Sequence, residues 1–322
     1  MKQTRAKPDQ RGDILRLVEE NIREADGPVV VGLDMAAQSD DWGLCVIALT
    51  SDLRSGRLAG LLPQAKLNAN GRRSPKLLFR PDLPLVRRVL ELVKSANRGG
   101  SLAVDTPFGW SAEQRRSLVG WSATDGWQGT GSLPTAAQFA RRLCDLQLSE
   151  AYTTVRPLAV GADLIALSSF AWAVARTDLA ALLGVLDFGL DGPVAGFATF
   201  ETYPAAFVRL VAHEAGDYKG QPDIRTRLLD TLRSGYTFEI PDGGEHWLAW
   251  ACAQKQSPNA YDALLSALTA WDHLRWRAGH AGITLTTPEV LLGRAPTTIE
   301  VERIRREGWI LVRTPPAPGA GT

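Results

Sequence analysis

The sequence predicts an α/β domain: a mixed central sheet that opens with an antiparallel hairpin, flanked by helices and carrying a helical and loop insertion. Two β-branched-rich apolar runs, Val29 to Asp34 and Gly43 to Leu49, are separated only by the polar turn AAQSDD, which is hairpin patterning. Further short apolar runs alternate with longer stretches whose apolar residues recur at helical spacing. The 322 residues, 45% hydrophobic, suffice for one large core with embellishments.

Taken in order, Ile14, Leu17, Val18 and Ile22 fall on one face of a helix, so residues 1–27 form a helical extension ahead of the first strand. A third strand is expected within Arg57 to Leu67, and a helix over Leu83 to Ala96, which stops before Gly99 and Gly100. Ser101 to Asp105, SLAVD, is another strand; Thr106, Pro107, Phe108 and Gly109 behind it continue neither strand nor helix. From Trp110 to Tyr152 a Gly/Ser/Trp-rich stretch and the helical pattern AAQFARRLCDLQLSEA suggest an insertion or lid, reaching about residue 185 with a buried helix over Ala162 to Leu183. Trp110, Trp121 and Trp127 there either pin the loop or offer faces for stacking on bases. Val194 to Tyr203 reads as a strand closed by Pro204, followed by helices over Ala205 to Ala215 and Asp223 to Arg233. Pro258 to Ala278 reads as a helix with Asp262 in its first turns, and the Pro/Gly-rich tail, 314–322, as disordered.

Composition removes several classes of function. A formal charge of +1 excludes a uniformly basic surface, so any nucleic-acid contact has to be local; arginine doublets such as Arg87-Arg88 and Arg305-Arg306 read first as solvated helix faces. No apolar run approaches the roughly 18 residues of a membrane span, and the polar N-terminus lacks a signal-peptide core, so the expectation is a cytoplasmic protein with no membrane partner. Cys45, Cys144 and Cys252 form no CxxC pair and read as packing residues. His213, His246, His273 and His280 form neither HxH nor HExxH, which argues against zinc and leaves them expected on helix surfaces.

Four acids occupy positions where chemistry is commonly mounted: Asp34, Asp105 and Glu201 at strand ends, and Asp262 near a helix start. Singly, such acids serve as turn residues or caps. Gathered in one pocket they repel one another unless cations neutralise them, which makes a ligand set for Mg²⁺ or Mn²⁺. Two such ions about 4 Å apart activate a water and stabilise the leaving oxygen of a phosphodiester.

GLDMA (Gly32 to Ala36), AVDTPFGW (Ala103 to Trp110), RLCD (Arg142 to Asp145), FETYPAA (Phe200 to Ala206), YKG (Tyr218 to Gly220) followed by IRTRLLDTL, YDALLSALTAW (Tyr261 to Trp271) and EGWI (Glu307 to Ile310) form an ordered set. In these signatures the chain resembles the domain-of-unknown-function family numbered 429, whose members are predicted to be RNase H-like nucleases. The resemblance spans roughly residues 28–313. It implies an RNase H-like domain with Asp34 on the first strand, Asp105 on the next central strand, Glu201 on a further strand and Asp262 on a late helix. Together with the acidic set, the expectation is a divalent-metal-dependent nuclease in which Asp34 bridges two ions, Asp105 and Glu201 each complete one shell, and Asp262 holds the second ion at the leaving-group side. Arg142 and Lys219 match polar positions of these motifs and are candidates to hold a substrate phosphate; the alternative is an ion pair with an acid such as Asp145. The extra acids Asp40 and Asp41 in the first loop are either turn residues or modifiers of metal affinity.

Two other classes compete. Actin-like ATPases and sugar kinases share the sheet and use an Asp-small-small hairpin for phosphate, yet the chain has no second Asp-Gly-x-Gly hairpin and no GxxxxGK[ST] loop. A non-catalytic nucleic-acid-binding module of the same fold is the other.

Overall fold

A computed structural model describes residues 10–35, 42–63, 84–96, 98–119, 121–122, 126–127, 139–158, 163–191, 196–213, 217–242, 244–253 and 259–315. The first hairpin forms where the apolar runs predict it. Strands β1 (Val29–Asp34) and β2 (Gly43–Leu49) pair antiparallel, Val29 opposite Ala48 and Asp34 opposite Gly43, and every residue of both is buried. β3 (Ser55–Pro63) continues the meander beside β2 with a register shift at Val46/Ile47. On the other side of β1, β4 (Gly100–Asp105) runs parallel to it. The two-residue strands β5 (Trp121–Ser122) and β6 (Gly126–Trp127) form a separate antiparallel pair.

β7 (Val185–Leu186), β8 (Phe197–Glu201) and β9 (Thr237–Glu239) complete the main sheet, whose described strands run β7-β8-β4-β1-β2-β3-β9. β8 is parallel to β4 and β7 to β8, so the parallel half follows directly on the antiparallel meander. β7 and β9, two and three residues long, are too short for the period-2 pattern to reveal.

Because β1 and β4 are central, alternate side chains feed two separate cores. Val29, Val31, Leu33, Leu102 and Val104 face one core, with Val18 and Ile22 of α1 (Gln10–Glu24), Val89 and Leu90 of α2 (Pro84–Ser95), and Trp172 and Ala175 of α5 (Asp163–Leu179). Val30, Ala103 and Phe200 face the other. Against them pack α6 (Pro204–Leu210), α7 (Pro222–Gly235), α8 (Glu245–Ala253) and α9 (Asn259–Arg277). Helices α3 (Ala112–Val119) and α4 (Leu143–Ala151) lie between β4 and α5 in the chain, while α10 (Pro288–Leu292) and α11 (Thr298–Glu307) follow α9.

Helix α9 is buried at every position from Ala260 to Leu274. It lies so close to the sheet that a Cβ at Gly32 would come within 2.0 Å of the Ala263 carbonyl oxygen, and one at Gly43 within 2.0 Å of the Asn259 oxygen. Glycine at both positions is what lets the helix backbone reach the strands.

One expectation is corrected here. His273 is not on a helix surface: it is fully buried, its Nδ1 2.8 Å from the Ser101 hydroxyl and its Nε2 2.9 Å from Asp187. Burial lowers the imidazole pKa, although Asp187 opposes the shift, so the ring is neutral; its Nε2–H donates to Asp187 and Nδ1 accepts from Ser101. Phe200 stacks on the ring at 4.5 Å. The order Ser–His–Asp is that of a hydrolytic triad, but all three residues are sealed from solvent, and the array ties α9 to β4 and to the segment after β7. The cysteines behave as expected: Cys45, Cys144 and Cys252 are free and buried. Among the described residues no helix is long and apolar enough to cross a membrane.

Candidate functional site

Parallel pairing sets the Cα atoms of Asp34 and Asp105 directly opposite each other at the C-terminal ends of β1 and β4, so both side chains leave the sheet on the α9 face. The close approach of α9 over Gly32 then brings Asp262, in its first turn, to the same place. Asp34 and Asp262 are almost fully buried, 7% and 1% exposed. Among the described residues the carboxylates of Asp34 and Asp105 receive no hydrogen bond. Asp262 is held on both sides: the Tyr218 hydroxyl donates to Oδ1 at 2.7 Å, and Lys219 Nζ lies 2.7 Å from Oδ2.

The electrostatics follow from crowding. Burial, then Asp105 and Asp262, push Asp34 well above the usual carboxylate range, with Lys219 pulling the other way. Burial raises Asp105 to about 7, with Lys219 again opposing and Asp262 and Glu201 reinforcing. Lys219 is driven up: desolvation disfavours its charge, but the fields of Asp262, Asp105 and Asp34 outweigh that. Three carboxylates thus share one ammonium.

Lys219 sits on a tightly fixed turn. Arg225, itself buried, donates Nη1 to the carbonyls of Tyr218 and Lys219 at 2.6 and 2.8 Å, and Nε to the Cys252 carbonyl at 2.9 Å. The Lys219 side chain is nonetheless 48% exposed. Its root is fixed, its ammonium reaches the buried Asp262, and part of its side chain meets solvent. Tyr203, whose phenol is raised by burial and then by Asp105, borders the same cluster. Tyr203 and Tyr218 were not singled out by sequence, although both lie within quoted motifs, FETYPAA and YKG.

Glu201 and Arg142 stand apart. Glu201 pairs with Val104 rather than Asp105, one residue out of phase, so its side chain leaves the opposite face of the sheet. Both of its oxygens are taken: Arg142 Nη2 lies 2.6 Å from Oε1, Nη1 lies 2.7 Å from Oε2, and the Phe108 amide donates to Oε2 at 3.0 Å. The same guanidinium bonds Asp145 through Nε and Nη2 at 3.1 and 2.9 Å, and the Glu307 carbonyl at 3.0 Å. Arg142 is 1% exposed, with no face left for a substrate phosphate. The structure therefore gives it the ion pair with Asp145 that its spacing also allowed. Next to this hub, the Glu307 carboxylate accepts the amides of Ala112 and Leu143 at 2.6 and 2.7 Å, closing the starts of α3 and α4 together.

Among the described residues no three His, Cys, Asp or Glu side chains are drawn tightly enough to hold an ion as they stand. The donors still suit a hard divalent cation. All are carboxylate oxygens, two of the three side chains lack partners among the described residues, and Asp262 shares its Oδ2 with the Lys219 ammonium. Asp40 and Asp41 lie outside the described residues. A family model described as "Protein of unknown function (DUF429)" matches residues 32–290, a span that includes the whole acidic cluster and its lysine. No curated protein and no solved structure matches the chain.

Proposed function

We propose, for a chain that belongs to the DUF429 family, a divalent-metal-dependent phosphodiesterase of RNase H-like type acting on nucleic acid, with Asp34, Asp105 and Asp262 as its ligand set. The observation that carries this reading is the facing pair Asp34, buried, and Asp105, half-buried, beside the buried Asp262, with Lys219 as the one cation acting on the pair among the described residues. An unneutralised group of this kind is costly to fold and is retained where function requires it. The fold reading is supported by the order of the central strands, an antiparallel β3-β2-β1 meander continued by parallel β4 and β8.

Mg²⁺ or Mn²⁺ held there supplies activation of a water and stabilisation of the leaving oxygen. The chain's own residues do the rest. Asp34 and Asp105 offer oxygens from rigid strand ends, and Tyr218 fixes the rotamer of Asp262 through its hydroxyl. Lys219, at the exposed margin, offers positive charge to a substrate phosphate. Glu201 contributes through the Arg142 hub, by fixing the loop after Asp105 at Phe108.

Labelled single-stranded DNA, RNA and branched duplex incubated with Mn²⁺ test the reading. Cleavage that disappears in EDTA and in Asp34→Asn is expected. ATP turnover without cleavage would replace it with the phosphotransferase reading, and nucleic-acid binding without either reaction would replace it with the non-catalytic module.

A further inference from the structure

We propose that Lys219 is a tethered competitor for the metal: its ammonium holds the Asp262 side of the acidic site and must swing out before a divalent cation can take that side. This rests on the metal-site reading above and goes beyond it by assigning the site a built-in occupant. Asp262 has two oxygens; Tyr218 donates to Oδ1 and Lys219 occupies Oδ2, each at 2.7 Å. Tyr218 is buried and cannot leave, whereas the lysine side chain is half exposed. Its backbone is pinned by buried Arg225, so displacement requires only rotation of a flexible four-carbon stem about a fixed root. Asp34, more than nine-tenths buried at 7% exposure and without a hydrogen-bond partner among the described residues, completes the site toward which the displacing cation is drawn.

Two cations that contend for one carboxylate weaken each other's binding by the same factor, because linkage is reciprocal. The lysine therefore raises the metal concentration at which the site fills. Once displaced, its charge stands at the solvent margin, where an anionic substrate arrives, so metal loading and substrate capture become coupled.

Calorimetric titration of Mn²⁺ into the full-length protein and into Lys219→Met tests this. The variant should bind about tenfold more tightly, a coupling within the usual range between linked sites. In parallel, acylation of Lys219 by an amine-reactive ester, read by mass spectrometry on the wild-type chain, should accelerate several-fold when Mn²⁺ is added. Equal or weaker affinity in Lys219→Met, or labelling indifferent to Mn²⁺ at saturation, overturns the competitor role while leaving the metal site intact. Absence of Mn²⁺ binding in both proteins overturns the metal-site reading and this inference together. The labelling arm needs no substitution, so poor folding of the variant does not shelter the idea.

Discussion

Asp34 and Asp105 face each other across adjacent parallel strands in exact Cα register, two acids at the same height on the same side of one sheet. Nothing in strand pairing favours this arrangement, since like charges directly opposite each other destabilise a sheet. Replacing one acid should therefore strengthen the metal-free protein. At pH 8 in EDTA, Asp34→Asn is expected to unfold at a higher temperature than wild type, by the equivalent of about 1–2 kcal/mol. The same variant should lose the stabilisation that Mg²⁺ confers on wild type. Thermal melts with and without metal check both halves.

Gly32→Ala probes how the third acid arrives. The added Cβ would stand 2.0 Å from the Ala263 oxygen and 2.3 Å from the Ala267 nitrogen, both backbone atoms of a buried helix. Denaturant titration should report a loss of about 2–3 kcal/mol. Metal affinity should fall as well, because α9 can relieve the contact only by carrying Asp262 away from Asp34.

Arg142 and Glu201 separate support from coordination. Arg142→Met leaves Glu201 and Asp145 buried without their cation and should cost about 3–5 kcal/mol. Glu201→Gln should lower the melting temperature but leave the Mn²⁺ dissociation constant within about twofold of wild type, the tolerance usual for uncoupled sites. A large loss of metal affinity in Glu201→Gln would return that residue to the ligand set.

Asp272 gives the fold a pH dependence of its own. It is fully buried on α9, accepts the Tyr236 hydroxyl, and has Arg275 and Arg313 at 4.0 and 3.9 Å. Burial raises its pKa to about 6 against an ordinary 3.8, the arginines and Tyr236 only partly opposing. The folded state thus keeps the proton longer than the unfolded chain, and stability falls as pH rises from about 4 through about 6. Asp272→Asn lacks that titration. Its melting temperature relative to wild type should improve across this interval by the equivalent of up to about 3 kcal/mol, whatever the offset between the two proteins at pH 4.

The hairpin, the strand ending at Asp105 and the helix bearing Asp262 were legible because each is a long or strongly patterned element. The partition of the acids was not. Whether a strand-end residue faces one side or the other depends on register, and Glu201 falls one residue out of phase with Asp105, a fact that belongs to the pairing and not to either segment. Gly32 was visible as a residue, but the helix that rests on it lies more than two hundred positions later. His273 was misplaced for a related reason. Periodicity assigns polar residues to the solvent face, yet on α9 they are buried and paired internally: Ser266 with the Asp262 carbonyl, Thr269 with that of Leu265, Asp272 with Tyr236, His273 with Ser101 and Asp187. Arg142 read either as a phosphate ligand or as the partner of an acid such as Asp145, and only the fold shows that Glu201 encloses it from the other side.

The far edge of β8 is finished by remote chain. Beyond the two residues covered by β7, Glu201 forms a parallel bridge with Ile310, and its carbonyl accepts the Leu311 amide at 2.9 Å. Trp309 to Val312 are buried there, and Glu307 just before them closes two helix starts. A nascent chain that has already released Asp34, Asp105 and Glu201 therefore still has an open strand margin beside them. Fragments cut short before this segment inherit a sticky edge and a loosened loop, so premature termination should yield aggregation rather than a smaller working protein.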